Sequence, residues 1–219
     1  MPKLRPMIRY LASLCAAALL AGCATTPAPS APQTAFWSAL ASHCGKAYAG
    51  RLVSDEAPDA AMRGMDMAMH VRRCEDNRIE VPFHVRQADG SWDRSRTWIF
   101  TRAGNGGGSE GEGGLRLKHD HRHQDGTSDV LTMYGGETAT PGTARAQDFP
   151  VDDESIALFR REDRAVSVTN VWRVEVDAAG TPNVRFAYQL GRAAPDARHF
   201  RVEFDLTRPI APPPAPWGW

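Results

Sequence analysis

The sequence predicts a mainly β chain folded as an antiparallel up-and-down β-barrel of about ten strands, led by a short N-terminal helix. Three observations carry this. Apolar and polar residues alternate at period two in segment after segment. Short clusters of Gly, Pro, Asn and Asp separate those segments at hairpin-like intervals. No long run with helical spacing follows the first one. A two-sheet β-sandwich is the alternative.

The first 22 residues stand outside that pattern. Lys3, Arg5 and Arg9 give a basic start, and residues 11–20 form an apolar run too short to span a bilayer. The run ends in Leu20-Ala21-Gly22-Cys23. This tetrapeptide resembles the lipobox of bacterial lipoproteins, an apolar residue and two small ones before the modified cysteine. The resemblance implies that 1–22 is a signal peptide. It also implies that Cys23 becomes an N-terminus acylated with diacylglycerol and anchors the protein to a membrane. Ala24 in place of Asp after that cysteine implies the outer membrane, with the domain on the periplasmic face. An ordinary secretory signal is the alternative. The full chain carries 26 Lys+Arg and 26 Asp+Glu. Removing 1–22 takes away three basic residues and no acidic one, leaving a side-chain net charge of −3. Neither balance is that of a nucleic-acid binder.

After Cys23, the rest of 23–34 is Pro, Ala, Ser and Thr with one Gln and no charge, and the segment reads as a tether. Phe36, Trp37, Leu40 and Ala41 fall at helical spacing, which predicts a helix over 35–43 with Thr34 as its cap. The β-barrel domain then covers 35–208. Its two cysteines, Cys44 and Cys74, are expected to pair in an oxidising compartment. Closing that loop stabilises by roughly 3–4 kcal/mol through the entropy of the unfolded chain.

Five segments alternate strictly. Ile79, Val81, Phe83 and Val85 share a face, as do Trp98 and Phe100. The others are the run from Val166 to Val176, the run Val184, Phe186, Tyr188 and Leu190, and the run Phe200, Val202, Phe204 and Leu206. Such strands have one wet and one buried face, the habit of antiparallel sheets. Weaker strands are expected at 46–53, 65–73, 115–121, 130–134 and 155–161. Residues 104–114 hold seven glycines in eleven and read as a surface loop. The joint 134–153 has no strong pattern and reads as a lid or binding loop, or equally as a plain excursion of the chain. The tail 209–219 is Pro-rich, closes with Trp217 and Trp219, and is expected to cross the barrel wall or mouth with its indoles as packing plugs. The layout is similar to that of calycins, the lipocalin-like barrels, and the similarity is one of layout alone. A transmembrane barrel is disfavoured, because its outer band would have to be apolar.

Two chemistries stand out. His119, His121 and His123 share a strand face if the strand continues, and such spacing suits a divalent metal such as zinc or copper. The stripe Met65, Met67 and Met69 beside His70 suits Cu(I), or equally an apolar lining. The inward aromatic and methionine positions predict a lumen lining of Met67, Met69, Phe83, Trp98, Phe100, Trp172, Phe186 and Tyr188. An open lumen of that kind would take a small hydrophobic or amphipathic ligand, such as a lipid or tetrapyrrole. No Gly-x-Ser-x-Gly or His-Glu-x-x-His motif occurs, so the expected function is not enzymatic. Three readings follow: a lumen-ligand binder, a metal binder, and a structural or assembly lipoprotein with a filled core.

Overall fold

A computed structural model describes residues 1, 31–102 and 114–219. The lipobox, Cys23 and most of the glycine-rich segment lie outside the described residues. The chain enters the fold through helix α1 (Ala31–Ala41). That helix starts four residues earlier than the apolar spacing predicts. Pro32 sits in its first turn, where a missing N–H costs nothing, and buried Gln33 donates to Thr138 Oγ1 at 2.8 Å.

Eleven strands follow. They are β1 (Ala47–Leu52), β2 (Met67–His70), β3 (Arg73–Cys74), β4 (Arg78–Arg86), β5 (Trp92–Arg102) and β6 (Leu115–His121), then β7 (Tyr134–Glu137), β8 (Ala146–Pro150), β9 (Val171–Val176), β10 (Arg185–Arg192) and β11 (Arg198–Ile210). Their order in the sheet is β7-β6-β5-β4-β2-β1-β11-β10-β9-β8, with β3 added to β4 and every pairing antiparallel. Chain order is spatial order, as in a meander, and the pairing of β1 with β11 joins the two halves. The sheet therefore curls into a nearly closed ten-strand barrel.

The seam lies between β7 and β8. An isolated bridge pairs Gly136 with Val151, and Asp152 N donates to the Gly135 carbonyl at 3.1 Å. Glycine is required there. A Cβ on Gly136 would stand 1.8 Å from the Pro150 carbonyl oxygen, and one on Gly135 1.8 Å from that of Leu117. The joint 134–153 is thus not a lid. It supplies the two strands that nearly close the barrel.

Two further segments depart from the sequence reading. Residues 155–161 are helix α2 (Asp153–Arg161), not a strand. Asp152 caps it by accepting from Ser155 N, acidic residues fill its first turn and arginines its last. Only Ser155 and Phe159 are buried, four apart, which is a helical interval. Residues 130–134 form no strand apart from Tyr134, which opens β7. Likewise Ala165–Thr169 winds as a 3-10 turn, so the alternating run becomes a strand only from Val171. Valines at period two do not fix a strand where no partner strand lies alongside.

The outer wall is wet and charged. Arg173 reaches Asp148 and Glu175, and Arg201 reaches Glu175 and Glu203. Ala187 of β10 faces both Glu175 and Glu203, and its small side chain leaves room for Arg201 to reach across that strand. The two ends are covered. α1 lies across the end where β5, β7 and β9 finish, with Phe36 and Leu40 fully buried and Arg102 stacked on Trp37. α2 packs at the opposite end, where Phe159 meets Tyr134. The disulfide Cys44–Cys74 is formed and ties the segment after α1 to β3.

Candidate functional site

Inward residues of opposite walls meet in the middle of the barrel. Phe83 on β4 stacks on Trp98 of β5 at 5.0 Å, and Trp98 stacks on Tyr188 of β10 at 4.5 Å and on Phe186 at 5.7 Å. Phe204 of β11 stands edge-on to Phe83, Trp98 and Phe186. In the ten-strand ring, β5 and β10 have four strands between them in either direction, so this column spans the lumen. Met67, Met69, Phe100 and Trp172 are buried in the same continuous core. All eight residues read from the sequence as lumen lining therefore come together. Of the eight, Phe83, Trp98, Phe186 and Tyr188 meet ring to ring around Trp98, at the spacings aromatic pairs prefer.

A polar chain adjoins the column. His119 Nδ1 lies 3.0 Å from the Tyr134 carbonyl and its Nε2 lies 2.8 Å from the Tyr188 hydroxyl. A carbonyl only accepts, so Nδ1 carries the proton and Nε2 accepts from Tyr188. Burial holds the His119 imidazolium down to a pKa of about 3 and pushes the Tyr188 phenol well above its ordinary value. The Tyr134 ring stacks on His119, and its hydroxyl meets His121 Nε2 at 3.1 Å. Burial pushes Tyr134 up to about 12; burial, then the Arg96 charge, lowers His121 to about 4. Both histidines are neutral structural partners at neutral pH.

The three-histidine face does not form. β6 ends at His121, and the chain then turns, with His123 N and O bonded to Thr127 O and Gly126 N. His123 is exposed while His119 is buried. The period-two rule failed here because it holds only while the strand continues. His119 has no lone pair left for a metal, since one nitrogen donates and the other accepts. Among the described residues no group of three or more His, Cys, Asp or Glu side chains is arranged to hold a metal ion.

The tail builds a site that the sequence reading did not find. β11 continues to Ile210, with Pro209 and Ile210 paired to Tyr48 and Ala47. Beyond it the tail crosses the outside of the barrel as a strap. Arg94 donates to the Ala215 carbonyl at 2.6 Å and its own carbonyl accepts from Trp217 N at 3.1 Å. Trp219 Nε1 donates to Asp120 at 3.1 Å, and Arg122 lies over the Trp219 ring. A cleft of about 840 Å³ opens between the strap, the β4–β5 turn and the loop after β6. Trp92, Trp217, Gln87, Asp93, His123 and Gln124 are among its walls. The signal in the sequence was two tryptophans beside turn residues, but nothing in it places them together.

Compared with known proteins, the chain matches no family model, no curated protein and no solved structure. Among the described residues, no helix is long and apolar enough to cross a membrane.

Proposed function

We propose that this protein is a non-enzymatic lipoprotein, held by acylated Cys23 at the periplasmic face of the outer membrane, whose filled barrel is a rigid scaffold for interactions made on its outside. The observation that carries this reading is the aromatic column. Phe83, Trp98, Tyr188 and Phe186 occupy the axis that a lipid or tetrapyrrole would need. A core of stacked rings at van der Waals separation stabilises the barrel and leaves binding to its surface. The paired nitrogens of His119 weigh in the same direction against the metal reading.

The lumen is tested by native mass spectrometry and fluorescent fatty-acid uptake on the purified lipidated protein. No retained ligand and no uptake are expected. A stoichiometric lipid or tetrapyrrole would overturn the filled-core reading. The anchor is tested separately. Cys23→Ser is expected to abolish palmitate labelling and release the protein from the membrane fraction; retention of both would overturn the lipoprotein reading.

A further inference from the structure

We infer that the strap cleft binds a short, uncharged, hydroxyl-rich saccharide. This rests on the reading that the barrel works through its exterior. The cleft's volume of about 840 Å³ is within the span of about 300–1,000 Å³ typical of ligand sites. Its composition selects the ligand class. Trp92 and Trp217 are the aromatic walls, and indoles present the flat apolar faces on which the C–H faces of a pyranose pack. Around them stand planar amide, carboxylate and imidazole groups, which suit pairs of neighbouring hydroxyls.

The arginines that line the cleft, and Asp93, are satisfied within the protein. Asp93 is bonded to Arg96 at 2.5 Å and to Ser95 N at 3.0 Å. Arg122 is held by Asp120 at 2.8 Å and by the Gly126 carbonyl at 3.1 Å. Arg94 is committed to the strap. An anionic ligand would have to break the arginine pairs, and a hydrophobic one would bury these pairs and the Asp89 and Asp129 carboxylates without compensation. Groups remain for an uncharged polar ligand. Among the described residues no protein partner is bonded to the Gln124 or His123 side chain, and Asp129 uses only Oδ1, on Leu131 N. All three line the cleft. The wall is also preformed. Arg94 clips the strap from both sides, and Arg86 lies over the Trp92 ring at 4.8 Å. Such preorganisation limits the ordering cost of binding.

The test uses the lipidated full chain with three neutral probes: the tetramers of N-acetylglucosamine, of glucose and of mannose. Calorimetry is expected to detect at least one, and which of them binds identifies the sugar. Trp92→Ala and Trp217→Ala are each expected to weaken that binding about tenfold. Gln124→Ala, an exposed change that does not disturb folding, is expected to weaken it at least threefold with an unchanged melting temperature. Binding of none of the probes, or equal binding by wild type and all three variants, would overturn the inference. Fatty-acid uptake is measured on the same samples. Saccharide failure without fatty-acid uptake sinks the cleft alone; saccharide failure with uptake sinks the filled-barrel reading as well.

Discussion

Replacing Trp98 with Ala removes the ring at the centre of the column. Trp98 is 2% exposed and packs against Phe83, Phe186, Tyr188 and Phe204. Core Phe or Trp to Ala changes cost about 3–5 kcal/mol. Four ring pairs at roughly 0.5–1.5 kcal/mol each place this site in the upper part of that range. The expected loss is thus about 4–5 kcal/mol, or roughly 8–20 °C in Tm for a domain of this size. Urea unfolding followed by circular dichroism measures it, with the slope unchanged and the midpoint lowered. The variant should also bind benzene or indole in the space left behind, since apolar cavities of that kind stay dry and take small apolar guests. Trp98→Phe keeps one ring and should lose less than half as much. A loss below about 1 kcal/mol for the Ala variant would refute the reasoning, because it would mean that the ring faces water or an open lumen rather than close-packed neighbours.

Three further outcomes follow from the same geometry. Gly136→Ala places a Cβ against the Pro150 backbone, which cannot give locally. A loss of about 3 kcal/mol or more is expected, with faster amide exchange at Val151 and Asp152; unchanged exchange there would show that the seam is not closed by this contact. The Cys44–Cys74 bond closes a loop with a sequence separation of 30, and the chain-entropy relation makes its removal cost about 3.6 kcal/mol. Denaturation of the double Ser variant measures that, and a cost near zero would point to a compact reduced state. Acid should destabilise the fold through its histidines. His119 at about 3 and His121 and His84 at about 4 are neutral in the folded chain, against 6.5 when unfolded. The unfolded state therefore binds more protons below pH 6.5, and their contribution is complete above that pH. It declines as pH falls from 6.5 toward 4, by up to ~1.4 kcal/mol per pH unit for each site. Urea midpoints at pH 7.5, 6 and 5 should fall in that order, more shallowly in His119→Gln; a flat series would show that the histidines are not buried.

Period two alone marked β4, β5, β9, β10 and β11, because a strand with one wet face records its burial in every second residue. The same rule marked Leu115–His121 to the residue. It failed where its condition lapsed. In residues 155–161 four apolar residues run consecutively from Ile156 to Phe159, and so short an unbroken run does not distinguish a strand from a helix. The capping Asp152 and the charge order along Asp153–Arg161 were the better signals. β7 and β8 escaped notice because Gly135 and Gly136 have no side chain to alternate, although those glycines are what lets the two strands approach.

By itself, the sequence determined the class of fold, the inward-facing residues and the cysteine pair, since each is written in local spacing or composition. Tertiary structure decided what those residues do. Whether Trp98 lines a space or fills it depends on whether Tyr188, on a strand four others away, reaches the same point on the axis. Whether His123 joins His119 depends on where β6 loses its partners. Whether Trp92 and Trp217 share a cleft depends on the path of a strap across the outer wall. Each is a distance between residues far apart in the chain, and local periodicity carries no record of such distances.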